Sequence, residues 1–254
     1  MTKIFRKGFG AKLFSIVCLV VCVALSLTLA DFFSNVITTT TFSSSTGKVK
    51  GGSFSLYAIK LYSATTQAQA NDLSANAKQK NCAGYIYMTN TEYMILASAY
   101  ENQSDAQKVE TNLKNSEISC EIITIDFPKL ELSTNVSSTE KTALENAVSV
   151  FRTIYKKLYD LSVSVDTNLS TEIESKIALA NIVSEFTKIK ASFESIFNQK
   201  ISTELLELKL SLANVDKILS DLSNFSDTTI PYSAQIKHTY FEVLAQHLAL
   251  AKKI

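Results

Sequence analysis

Residues 83–100 read AGYIYMTNTEYMILASAY. Two runs rich in Tyr, Ile and Met flank the polar triplet Thr89-Asn90-Thr91, and so short a turn between strand-forming runs predicts a hairpin of Ala83–Met88 with Glu92–Tyr100. Upstream, FSLYAIKLY from Phe54 alternates like a strand, and SATTQAQANDLSANAKQKN, with Ser63 or Thr65 as a cap, reads as a weakly amphipathic helix. Downstream, Asn102–Lys114 (NQSDAQKVETNLK) places Ala106, Val109 and Leu113 on one stripe, and Ser119–Asp126 (SCEIITID) is a further strand. The order is βαββαβ over about 75 residues.

Alternation assigns the faces of this sheet. Tyr57, Ile59 and Leu61 should turn toward the helices and Ala58, Lys60 and Tyr62 away from them. On the third strand Ile95 and Ala97 go inward, leaving Met94, Leu96 and Ser98 on the other face, while Tyr85 and Tyr87 share one face of the second strand. Cys82 and Cys120 each precede a strand, and the strands they lead into need not be neighbours, so a bridge between them is not expected.

The two halves AIKLYSATTQAQANDLS and ILASAYENQSDAQKVETNL repeat one plan: a strand ending in a small or aromatic corner, a polar helix start, then an Ala-containing helix. With Ile95-Leu96-Ala97-Ser98-Ala99-Tyr100 and Ser104-Asp105-Ala106, this stretch resembles the SPOR domain, a sporulation and division module of bacterial envelope proteins that recognises peptidoglycan. The resemblance implies a ferredoxin- or RNP-like α+β fold over residues 54–127. It also implies glycan held on the sheet face opposite the helices, here by Lys60, Tyr62, Tyr85, Tyr87, Met94, Leu96 and Ser98. Tyr rings beside polar groups suit sugar rings, yet a face carrying Met94 and Leu96 suits packing against the following domain equally well. In the first half Lys60, Leu61, Tyr62 and Ala64 stand where the family has a Gln, an apolar residue, a Gly and an aromatic, a departure that favours a protein-protein platform. RNA-recognition modules share the βαββαβ order but need a glycine-and-aromatic signature with basic flanks; EYMILASAY has neither.

The chain has 254 residues and a net charge of +1, unevenly spread. Residues 1–50 hold six basic residues and one acid, residues 51–128 five and eight, and residues 129–254 fourteen and fifteen. Beyond residue 50 no basic field exists for nucleic acid. The basic surplus flanks Leu13–Ala30 (LFSIVCLVVCVALSLTLA), an uncharged run of about 27 Å as a helix, which Phe32 and Phe33 extend. It reads as a membrane helix spanning residues 13–33, with the N-terminus cytoplasmic and the remainder extracytoplasmic. A cleavable signal peptide is the alternative, but the run is too long and lacks a polar region before Thr28-Leu29-Ala30. Cys18 and Cys22 are then apolar residues of the span. Residues 34–53, rich in Ser, Thr and Gly, read as a linker.

From Lys129 to Ile230 there is neither Gly nor Pro, and apolar residues recur at helical spacing. A first helix carries Leu144, Phe151, Leu158 and Leu161; a turn falls near Asp166-Thr167-Asn168. A second carries Ile173, Ile177, Ala180, Phe186, Ile189 and Phe193, and a third Ile201, Leu205, Leu208, Leu212, Val215, Leu219 and Leu222. Pro231 starts a last helix through Ile236, Tyr240, Val243 and Leu248. Residues 128–254 thus predict an antiparallel bundle, with an oligomeric coiled coil as the rival.

No motif here carries catalysis. His238 and His247, nine residues apart on one helix, project to opposite sides and cannot share a metal. There is no phosphate-binding glycine loop, HExxH or Ser/His/acid signature. No cofactor or metal is expected. The sequence therefore reads as a membrane-anchored, extracytoplasmic, non-catalytic envelope protein, in which the SPOR-like part binds peptidoglycan during division or sporulation or serves as a protein-protein platform, and the helical part binds a partner.

Overall fold

The computed structural model describes residues 48–133, 137–198 and 202–254. The expected membrane span, Cys18, Cys22 and most of the linker lie outside the described residues. Among the described residues no helix is long and apolar enough to cross a membrane.

The chain is α+β. Strand β1 (Lys48–Lys50) leads to β2 (Phe54–Ala64), α1 (Gln67–Gln79), β3 (Tyr85–Met88), β4 (Tyr93–Tyr100), α2 (Gln103–Asn115), β5 (Glu121–Phe127) and β6 (Glu131–Ser133). Four long helices come after them: α3 (Ser138–Asp166), α4 (Glu172–Phe197), α5 (Thr203–Ser223) and α6 (Tyr232–Ala251). Strands β2 to β5 form one antiparallel sheet in the order β3-β4-β2-β5, the arrangement that the βαββαβ reading requires. Thr66, one residue past the expected cap, accepts from the Gln69 amide to start α1. Capping boxes at Ser137/Glu140 and Thr171/Glu174 start α3 and α4.

One feature departs from expectation. β1, inside the expected linker, pairs antiparallel with β6, Lys48 opposite Ser133; three-residue strands are too short to show alternation. Residues Thr46–Ile254 cluster as one compact unit. Leu56, Ala58, Leu96 and Ala99 from the sheet share one buried core with Phe151, Tyr155, Tyr240 and Phe241 from the helices. Each large side chain buried in this way contributes roughly 1.5–3 kcal/mol, so the bundle and the sheet stabilise each other.

The four long helices pack in a ring, α3 on α4, α4 on α5, α5 on α6 and α6 on α3, as the bundle reading expects. The third helix buries its stripe as expected from Leu205 on, with Leu205, Leu208, Leu212, Val215, Leu219 and Leu222 all in the core; Ile201 lies outside the described residues. The second does not. On α4 the buried line is Ser175, Leu179, Ile182, Phe186, Phe193 and Phe197, whereas Ile173 and Ile177 are 74% and 60% exposed.

Candidate functional site

The sheet face opposite α1 and α2 is where the sequence places a ligand. Period-two alternation holds as far as two irregularities allow: the β2–β4 register shifts between Ile59 and Lys60 and again between Lys60 and Tyr62. Each inserts an unpaired residue and moves the next stretch of strand to the other face.

The seven expected residues accordingly separate. Leu96 is fully buried, and Tyr85, Tyr87 and Met94 pack partly buried against the same core as the bundle helices. Tyr62, past the irregularity, packs instead near Ala64, Ala70, Ala77 and Ile95 under α1. Ser98 lies opposite Ile59, whose side chain belongs to the cluster beneath α2, and donates to the Tyr100 hydroxyl at 3.0 Å. Lys60 is held between Glu121 and Glu92, the latter at 3.7 Å. Its hydrogen bond to Glu121 outweighs partial burial and raises the ammonium pKa. These residues do not make one open surface.

What covers the face is α6, with α3 beside it. The Phe241 ring stacks on Tyr85 at 5.0 Å and 14°, and burial pushes the Tyr85 phenol up to about 12. Beyond the last β3–β4 pair, Tyr85 with Leu96, the backbone of Ala99 is met by two tyrosines. Its N–H donates to the Tyr240 hydroxyl at 3.0 Å, and its carbonyl accepts from the Tyr155 hydroxyl at 3.4 Å. Glu101, after β4, accepts from Arg152 at 2.9 Å and pairs with Lys156 at 3.1 Å, both on α3. Burial opposes ionisation of this carboxyl, but the two cations outweigh it and lower its pKa.

The two histidines lie on α6 as the spacing expects, on opposite sides of the helix. Each nonetheless reaches the sheet layer: His238 donates from Nδ1 to the Ala83 carbonyl at 3.0 Å, and His247 from Nε2 to the Pro128 carbonyl at 2.8 Å. Ala83 precedes β3 and Pro128 comes after β5, the two outer strands, so α6 crosses the sheet from one edge to the other. Nine helical residues rise about 13.5 Å, against about 14 Å for three strand spacings. Burial lowers both imidazole pKa values, His238 to about 4 with help from Lys78.

A polar knot closes one end of this contact. Lys237, nearly buried, pairs with Asp166 at 2.6 Å and donates to the Asn81 carbonyl at 2.9 Å; Asn81 and Ser233 both donate to the same Asp166 carboxylate. Asn81 has φ +62°, a left-handed conformation that asparagine tolerates. Sequence reading allowed for packing against the following domain without naming the helix, yet a signal exists in α6. Buried residues occur on every side of it, from Ile236, Lys237 and Thr239 through Tyr240, Phe241, Val243, Leu244 and His247, the pattern of a helix packed on more than one side.

Cys82 and Cys120 are free thiols, in keeping with their places before strands at opposite sheet edges. Among the described residues no three His, Cys, Asp or Glu side chains come together as a metal site. A shallow cavity of about 60 Å³ between α4 and α5, lined by Phe193, Phe197 and Leu205, is far below the ~300–1,000 Å³ of small-molecule sites. Large apolar side chains reach solvent at Leu169, Ile173 and Ile177 around the start of α4, and at Leu206 and Leu210 on α5.

No family model, no curated protein and no solved structure matches this chain.

Proposed function

We propose that this chain is a non-catalytic structural and interaction protein held at the bacterial cell membrane by residues 13–33, with its folded part outside the cytoplasm. In this reading the SPOR-like sheet serves as a protein-protein platform, and its occupant is the chain's own bundle. One observation carries the choice over peptidoglycan binding: the face that would receive a glycan is filled by α6, with Leu96 fully buried and Phe241 stacked on Tyr85. A sugar strand would have to displace a helix whose hydroxyl and two imidazoles bond the sheet backbone. The basic flank and apolar run of residues 1–33 support the anchor and its orientation.

The test is co-sedimentation of the detergent-solubilised full chain with purified peptidoglycan sacculi, both intact and amidase-treated to expose denuded glycan. The expected result is no pelleting above a control without sacculi. Saturable pelleting with either preparation overturns the choice and returns the function to glycan binding.

A further inference from the structure

Helix α4 carries two seams. Its inner one builds the bundle; its outer one runs Ile173, Ile177, Ala180, Ser184, Thr187 and Ala191, all exposed and all uncharged. The spacing 4-3-4-3-4 is that of a coiled-coil seam, so the six residues form a straight line along the helix. Leu169, 80% exposed, is a further apolar side chain in the turn before α4. The line is graded, with large residues at the N-terminal end and small ones at the C-terminal end. The hydroxyls of Thr187 and Ser195 are spent on the carbonyls of Val183 and Ser192 of their own helix.

A graded seam of this kind complements itself when a second copy runs antiparallel. With the two-fold axis level with Ile182, Ile173 faces the second copy's Ala191, Ile177 its Thr187 and Ala180 its Ser184. Large meets small in every layer but the central one, where both are small and let the helices approach closely. The same register sets Glu174, whose Oε2 is held by its own Thr171 cap and whose Oε1 makes no bond to that cap, near the second copy's Lys188, twice by symmetry. Among the described residues Lys188 has no ion-pair partner, unlike Lys190 beside it. On the other flank Lys176 and Lys190 keep partners within the chain, Glu172 and Asp216 at 2.7 Å each, so that edge adds no unmatched like charges.

We propose that two copies of this chain pair antiparallel through the outer face of α4. One helix on one helix belongs to the small, weak interfaces, below about 1,200 Å², so the pair is reversible in dilute solution; anchoring in a shared membrane would raise the effective concentration. The pairing deepens the interaction-protein reading by naming one partner. The two fail separately: a chain that does not bind sacculi and stays monomeric overturns the pairing alone.

The experiment is sedimentation equilibrium of the full chain in density-matched detergent at low salt. The mass is expected to rise with concentration from one chain, 28.0 kDa, toward two. Lys188→Glu weakens association at least fivefold, and Glu174→Gln, which keeps the α4 cap, weakens it at least twofold with the circular dichroism unchanged. Ile173→Ser with Ile177→Ser abolishes it while the circular dichroism stays unchanged. A single-chain mass at every concentration overturns the proposal. So does a Lys188→Glu variant that associates like wild type, which would place association elsewhere, in the N-terminal segment for instance.

Discussion

The hydroxyl of Tyr240 accepts the backbone N–H of Ala99 at 3.0 Å, across 141 positions of sequence and between the last helix and a strand of the sheet. Tyr240 is fully buried, and burial raises its phenol pKa well above the ordinary value. Removing the hydroxyl leaves a buried amide without an acceptor, at a cost of about 1–3 kcal/mol. Tyr240→Phe should therefore lower the denaturation midpoint with an unchanged m-value, and Tyr155→Phe should do so less, its bond being longer at 3.4 Å. Equal and negligible effects would mean that the two hydroxyls do not hold the strand.

The Asp166–Lys237 pair responds asymmetrically to substitution. Asp166→Ala strands a nearly buried ammonium, removes the acceptor of Asn81 and leaves Ser233 only the Ser162 carbonyl at 3.3 Å, for about 1–3 kcal/mol. Lys237→Met in the same chain relieves the stranded charge and should recover a large part of that loss. A double variant less stable than Asp166→Ala alone in urea titrations would contradict this.

Acidification should loosen the sheet–helix contact. The folded-state pKa of His238, about 4, lies below its ordinary 6.5 because burial and Lys78 of α1 oppose its charge, while the Ala83 carbonyl resists the shift. The other groups nearby are Tyr85 of β3 and Glu242 one turn along α6, 3.9 Å away. As pH falls, the unfolded chain takes this proton first. The contribution is thus intact above pH 6.5 and lost between 6.5 and 4, about 3 kcal/mol in all. His238→Asn keeps a donor and cannot titrate, so the difference in unfolding free energy between wild type and variant should fall across this window. A difference constant from pH 7 to pH 4 would contradict the assignment.

Among the described glycines, Gly84 is the position where a side chain is least tolerable. Its φ is +56°, and an added Cβ would lie 2.5 Å from the Ser74 carbonyl oxygen and 2.7 Å from Lys78 Cγ. Gly84→Ala should cost about 3 kcal/mol, combining left-handed strain with a clash against helix backbone. A thermal midpoint within 1–2 °C of wild type would show that α1 moves aside more easily than the packing implies.

Strand order and helix number were legible from patterns spanning several residues. The alternation of FSLYAIKLY, the Thr89-Asn90-Thr91 turn and the uninterrupted Leu205–Leu222 stripe each state one element and its buried face. Tyr62 and Ser98 were not legible, because an irregularity of one residue reverses the face and leaves composition unchanged. The fate of Met94 and Leu96 was half legible: an apolar face announces that something covers it, and nothing local says what. Ile173 and Ile177 continue the spacing of a buried stripe yet lie outside it, because α4 has two apolar lines and periodicity alone does not choose between them.

Hydrogen exchange at the Ala99 amide tests the docked bundle most directly, since that group is protected by the last helix. If the sheet face is filled as described, the Ala99 N–H in the full chain exchanges only with global unfolding, and Tyr240→Phe moves it to a faster, local route. Exchange of the wild-type Ala99 amide at the rate of an open sheet edge, with no change in the variant, would contradict the account and leave the face free for a ligand.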